Sequence, residues 1–140
     1  MVDYKEIASY IIILAVVLIV AQHLNVVVSG SMEPVFYRGD IVAVEKADLL
    51  GIQEFDPKDV QIGDIVVYDA KWFNQPVIHR IIDAKEINGS TRYEIKGDNN
   101  NRSDPYYVSP NQIQAKVMKW GDTPIVIPKI GYLSLWLRGL

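Results

Sequence analysis

A mostly β domain carried behind one N-terminal membrane-spanning helix is the fold class that this sequence predicts. Two observations carry the prediction. Between Ile7 and Met32 the chain contains no Asp, Glu, Lys or Arg, and residues 7–21 are almost wholly aliphatic. Beyond Pro34 the pattern becomes short and alternating, with stretches rich in Val, Ile and Tyr set between turn residues. A long uncharged apolar run suits a lipid span, and period-two runs suit half-buried strands.

A transmembrane helix needs about 20 predominantly apolar residues. Residues 7–24, extended by Val26-Val27-Val28, supply them, so residues 1–28 are expected to form the anchor, with the span at about 7–24. The leading segment Asp3-Tyr4-Lys5-Glu6 is not net positive, and no small-x-small motif follows cleanly. A retained anchor is therefore expected, rather than a removed signal peptide. Lys5 precedes the run and no basic residue follows until Arg38, which favours a cytoplasmic N-terminus. The expected location is the cell membrane, single-pass, with residues 29–140 on the extracytoplasmic side. Ser31 lies seven positions beyond Leu24, and such a stretch spans at most roughly 25 Å. Chemistry at Ser31 must lie close to the bilayer.

Behind the anchor, roughly 110 residues remain, enough for one domain with its own core. Strands are expected over residues 40–45, 64–68, 77–84, 92–96 and 113–120, each with strand-forming residues between turn signals. Asn88-Gly89 marks a turn, making residues 78–96 a hairpin whose loop is expected to be somewhat longer than two residues. Gly39-Asp40-Ile41-Val42 recurs as Gly63-Asp64-Ile65-Val66, each reading as a turn glycine, a carboxylate and strand entry. Residues 49–60 read as a connecting loop, and the polar run 97–105 as another. In the tail, Ile130, Leu133, Leu137 and Leu140 recur at helical spacing. A short amphipathic segment packed on the sheet is expected there, in preference to a membrane-surface helix with Trp136 at the headgroups.

A net charge of −3 gives no basic footprint for nucleic acid. The chain has no cysteine, which removes disulfides, a thiol nucleophile and thiolate metal sites, and its two histidines are too few for a convincing zinc site.

A serine hydroxyl becomes a useful nucleophile only when a base takes its proton and a third group orients that base. Ser31 sits in Ser29-Gly30-Ser31-Met32-Glu33-Pro34, where Gly30 lets the chain turn. Ordinary linkers after an anchor look similar, but Pro34 and strand entry at Gly39 argue against a loose one. His79 lies in the apolar strand Val77-Ile78-His79-Arg80-Ile81-Ile82. A lone histidine there is more often a hydrogen-bonded core residue than a catalyst, and its costly burial fits either reading. The other histidine, His23, falls at the end of the membrane run, where an interfacial role is expected. Asp98 and Asp104 stand six apart on the loop Gly97-Asp98-Asn99-Asn100-Asn101-Arg102-Ser103-Asp104. Either could orient an imidazole, and either could merely help turn the chain.

Together these stretches, from the anchor through about residue 120, resemble the type I signal peptidases of the archaeal and endoplasmic-reticulum kind. Bacterial members carry lysine where this chain has His79, so the resemblance is to the serine–histidine subgroup. It implies a domain of coiled antiparallel β-sheets, with Ser31 attacking the scissile carbonyl and His79 acting as general base and then acid. It further implies that Asp104 orients His79 and that Asp98 is a supporting acid. Ser29 would lend its hydroxyl to the oxyanion hole beside the Ser31 N–H. No metal or cofactor is implied. The implied substrates are preproteins, cut after small residues at positions −1 and −3. The implied partners are their signal peptides, membrane lipid and the protein-export translocon, and no nucleic acid. An alternative from another class is a non-catalytic membrane-anchored β module that binds or scaffolds, or an inactive paralogue. A self-cleaving or accessory protease with the same chemistry is a closer one.

Overall fold

The computed structural model describes residues 1–139. Helix α1 spans Tyr4–Gln22, with the Asp3 side chain accepting the Lys5 N–H at its start. Nineteen residues rise about 28 Å, close to the thickness of a bilayer's hydrocarbon core. None of them is buried, so the helix presents apolar side chains on every face with no protein against them. Among the described residues it is the one helix long and apolar enough to cross a membrane.

The sheet starts sooner than the sequence suggests. Only His23 separates α1 from β1 (Leu24–Val26), which pairs antiparallel with β2 (Ile41–Lys46). Part of the stretch expected in the anchor therefore belongs by hydrogen bonding to the β domain. Further strands are β3 (Ile65–Tyr68), β4 (Val77–Ile87), β5 (Ser90–Lys96) and β6 (Ile113–Val117). The antiparallel order is β1-β2-β6-β3-β4-β5. The first half of β2 pairs with β1 and with β9 (Val126–Ile127), and its second half pairs with β6. Register shifts interrupt β3/β6 at Val67/Tyr68 and β4/β5 between Ile81 and Asp83. Such irregularities bend strands, and the sheet is curled.

Four details depart from the sequence reading. The β4–β5 hairpin is tighter than expected: Ile87 faces Ser90 across Asn88-Gly89 alone. Both turn residues have positive φ, 53° and 75°, the geometry that a two-residue turn needs to match strand twist. The 113–120 strand breaks at Met118, after which β7 (Lys119–Trp120) forms a small ribbon with β8 (Thr123–Pro124). Leu49 and Ile52 form an isolated bridge inside the 49–60 connection. In the tail, α2 (Tyr132–Leu137) does pack, but through Leu135, whereas Ile130, Leu133 and Leu137 are exposed. Leu140, the fourth residue of that spacing, lies outside the described residues.

The recurring Gly-Asp pairs are one local solution used twice. Gly39 and Gly63 have φ of 91° and 98°, which favours glycine. The carboxylates of Asp40 and Asp64 each accept a backbone N–H three residues upstream, from Tyr37 and Gln61.

All four residues of β3 are buried, because both faces of the sheet are covered there. Val66 and Tyr68 face a layer containing Ile81, Tyr93, Ile95 and Val108. Ile65 and Val67 face a second layer with Met32, Phe36, Val42, Val44 and Val117. His79 lies opposite Val66 in the β3/β4 register, so it enters the first layer beside Val77 and Ile81.

Candidate active site

Ser31 belongs to no loose linker. Met32 and Phe36 are fully buried in the second layer, which anchors the turn on both sides of the exposed Pro34. The loop after β5 is stitched to the same turn. Asn99 donates its backbone N–H to the Ser31 carbonyl at 2.8 Å and its amide to the Gly30 carbonyl at 3.0 Å. Gly97 is buried at this seam. An added Cβ there would lie 2.7 Å from the Ser31 carbonyl oxygen and 2.9 Å from His79 Nε2. Glycine is required by close approach, since no side chain fits.

The seam brings together three of the residues singled out in the sequence. Ser31 Oγ lies 2.9 Å from His79 Nε2, and His79 Nδ1 lies 2.7 and 2.9 Å from the two carboxylate oxygens of Asp104. The His79 and Asp104 side chains are only 6% and 3% exposed. A carboxylate beside Nδ1 favours the tautomer with hydrogen on that nitrogen, which leaves the Nε2 lone pair to accept the Ser31 hydroxyl. Ser31 then has no second proton to give, so in its 3.1 Å contact with Ser29 the donor is Ser29 Oγ. The Ser31 N–H meanwhile points at Ser29 Oγ over a long 3.5 Å.

Asp98 is placed elsewhere. Arg80 grips it with two parallel bonds, Nε to Oδ1 at 2.9 Å and Nη2 to Oδ2 at 2.7 Å, and gives Nη1 to the Gly63 carbonyl at 2.8 Å. Arg80 follows His79 on β4 and faces the opposite side of the sheet. Asp98 thus ties its loop to the strand that carries the histidine, without touching the imidazole. The hydrogen bond to Asp98 raises the Arg80 guanidinium above its ordinary pKa. His23 is committed at the end of α1, with Nδ1 at 2.8 Å from the Ile19 carbonyl and Nε2 at 2.7 Å from Glu54.

Beside the Ser31 hydroxyl opens a cleft of about 670 Å³, with Val28, Trp72, Phe73 and Ile78 among its apolar walls and Ser29, Asn100 and Arg138 among its polar ones. That is the size and character of a ligand cleft. Among the described residues, no three His, Cys, Asp or Glu side chains gather as a metal-holding group.

Sequence reasoning did not find the contacts that Gly97, Asn99 and Arg80 make here, nor the Asp104 partner of Tyr68. The tyrosine left a signal: Tyr68 closes an otherwise aliphatic run, and a buried tyrosine needs a partner for its hydroxyl.

A hydroxyl, an imidazole and a carboxylate stand in hydrogen-bonded series, held by a curled β domain behind one helix long and apolar enough to cross a membrane. No protein-family model matches the chain. An uncharacterized protein of Methanocaldococcus jannaschii is 36% identical over 89% of this chain and 88% of its own length. The signal peptidase complex catalytic subunits SEC11 of Clavispora lusitaniae and Colletotrichum graminicola are 34% and 31% identical over 80% of this chain. The chain spans 63% and 62% of those two relatives' lengths. The chain is thus homologous to proteins named signal peptidase complex catalytic subunit SEC11, the endoplasmic-reticulum type of the type I signal peptidases. These relatives support a protease of signal-peptide processing in the broad sense, and with α1 they agree with a membrane-anchored protein.

Proposed function

We propose that this chain is a membrane-bound serine endopeptidase that removes signal peptides from preproteins by acyl transfer through Ser31. The observation that carries the reading is the buried series Ser31 Oγ–His79 Nε2–His79 Nδ1–Asp104, with contacts of 2.9 and 2.7 Å. As the hydroxyl oxygen attacks the scissile carbonyl, its proton passes to Nε2. The resulting imidazolium stays paired with Asp104, which keeps its negative charge. The Ser31 N–H and the Ser29 hydroxyl are the nearby donors for the oxyanion, Ser29 turning from its resting contact with Ser31 Oγ. Collapse breaks the peptide bond, and the proton on Nε2 leaves with the amine of the mature protein. Water, deprotonated by the same nitrogen, then releases the signal peptide from Ser31 and restores the hydroxyl.

A peptide added as a strand along the cleft points alternate side chains the same way. That suits a preference for small residues at positions −1 and −3. In this reading residues 29–140 stand on the extracytoplasmic face and Asp98 supports the site by holding its loop. The preprotein arrives from the export translocon, and no cofactor takes part. Ser31→Ala and His79→Ala should each abolish cleavage of an added preprotein by the detergent-solubilised chain while leaving the fold intact. Full activity in either variant rejects the mechanism.

A further inference from the structure

Asp104 holds more than the histidine. Its Oδ2 also accepts the phenolic O–H of Tyr68 at 2.5 Å, and the Tyr68 oxygen in turn accepts Trp72 Nε1–H at 3.3 Å. The donors to Asp104 therefore come from two neighbouring strands. His79 stands on β4, and Tyr68 ends β3 opposite Val77, two residues along the same face. The carboxylate itself sits on a loop, where its backbone N–H is tied to the Ile95 carbonyl at 2.8 Å. Tyr68 is 1% exposed. Phenylalanine would fill that space without burying a hydroxyl, and an unpartnered hydroxyl in such a place is costly. Here both its donor and its acceptor capacity are used. Burial, and then the neighbouring carboxylate, push the phenol well above its ordinary pKa, so it remains a donor.

We propose that Tyr68 is a positioning residue for the proton transfer: its hydroxyl, steadied by Trp72, locks the Asp104 carboxylate in the plane that addresses His79 Nδ1. The inference rests on the reading of Ser31, His79 and Asp104 as the catalytic series. One fixed donor leaves a carboxylate free to swing about its own bond, and two donors on rigid strands do not. Small losses of alignment in such a series are expensive in rate. Trp72 also lines the cleft, so the lock reaches from the substrate wall to the acid.

The test uses the full chain in detergent micelles with a preprotein substrate. Tyr68→Phe is expected to lower kcat about tenfold with KM and melting temperature little changed, the mark of an interaction made in the transition state. In an Asp104→Ala background the same substitution should change kcat less than about twofold, because its target is gone. An equal loss in both backgrounds assigns Tyr68 a merely structural role and overturns the proposal. Wild-type kcat in Tyr68→Phe also overturns it, and where Asp104→Ala is too slow to assay, an unmoved His79 Nδ1–H resonance in Tyr68→Phe overturns it. Full activity in Asp104→Ala rejects the triad instead. Should Tyr68→Phe melt early, fluorotyrosine at position 68 keeps the shape and acidifies the phenol. The proton resonance of His79 Nδ1–H should then move, and an unmoved resonance overturns the proposal.

Discussion

Gly97 and Ser31 approach so closely that a single methyl group on Gly97 would stand 2.7 Å from the Ser31 carbonyl oxygen. The same methyl would crowd His79 Nε2 at 2.9 Å, the atom that meets the Ser31 hydroxyl. The glycine therefore sets how near the nucleophile's turn and the histidine can come to the loop after β5.

Gly97→Ala should consequently lose both activity and stability. Overpacking at a buried site costs about 1–3 kcal/mol, and an ångström of displacement at a reacting centre can cost about 100-fold in rate. Preprotein cleavage and thermal melting of the same sample check this. A variant that cleaves at the parent rate would show that the seam opens without consequence.

Asp98 and Arg80 should behave as one unit. Their side chains are 21% and 29% exposed, so removing either partner strands a half-buried charge at about 1–2 kcal/mol. The double variant should be little worse than either single one, as denaturant unfolding can measure. The raised Arg80 pKa has a definite sign. Its stabilisation is fully present below the guanidinium's ordinary range, so the cation is not lost at any pH used for the protein. Cleavage should slow in Asp98→Ala yet persist, unlike in Ser31→Ala. An Asp98→Ala protein of full stability and no activity would place that acid in the chemistry.

His23 and Glu54 should govern the joint between helix and domain. Glu54 takes the imidazole at 2.7 Å and also the Lys46 backbone N–H at 2.7 Å, bridging the end of α1 to the end of β2. Glu54→Ala should cost about 1 kcal/mol and speed hydrogen exchange at the amides of Lys46 and Val44. Unchanged exchange at both would show that the backbone pairing alone holds the joint.

Much of this fold could be read from the chain because its signals are local. The uncharged run set α1, and period-two stretches set β2 through β5 to within a few residues. Asn88-Gly89 marked the hairpin, although its tight form depended on both residues adopting positive φ. The errors fall where tertiary packing decides. Leu24 to Val26 look like more anchor, and become strand because β2 offers them a partner. In the tail, apolar spacing pointed to Leu133 and Leu137, while contact with the domain selected Leu135. At the site, Ser31, His79 and the two acids could be picked out by residue type and resemblance. Residue type alone could not tell Asp104 from Asp98, and only the resemblance gave Asp104 the orienting role, because that choice depends on which face of β4 each carboxylate reaches. Tyr68 and Gly97 were hidden for the same reason, since a hydroxyl's partner and a missing side chain's neighbours belong to distant parts of the chain.

The junction at His23 has a mechanical consequence. With one residue between the last turn of α1 and a strand already bonded into the sheet, a membrane spanned by α1 would lie within a short reach of Ser31. On the proposed function, a peptide bond offered for scission would then have to be brought to that layer beside the lipid.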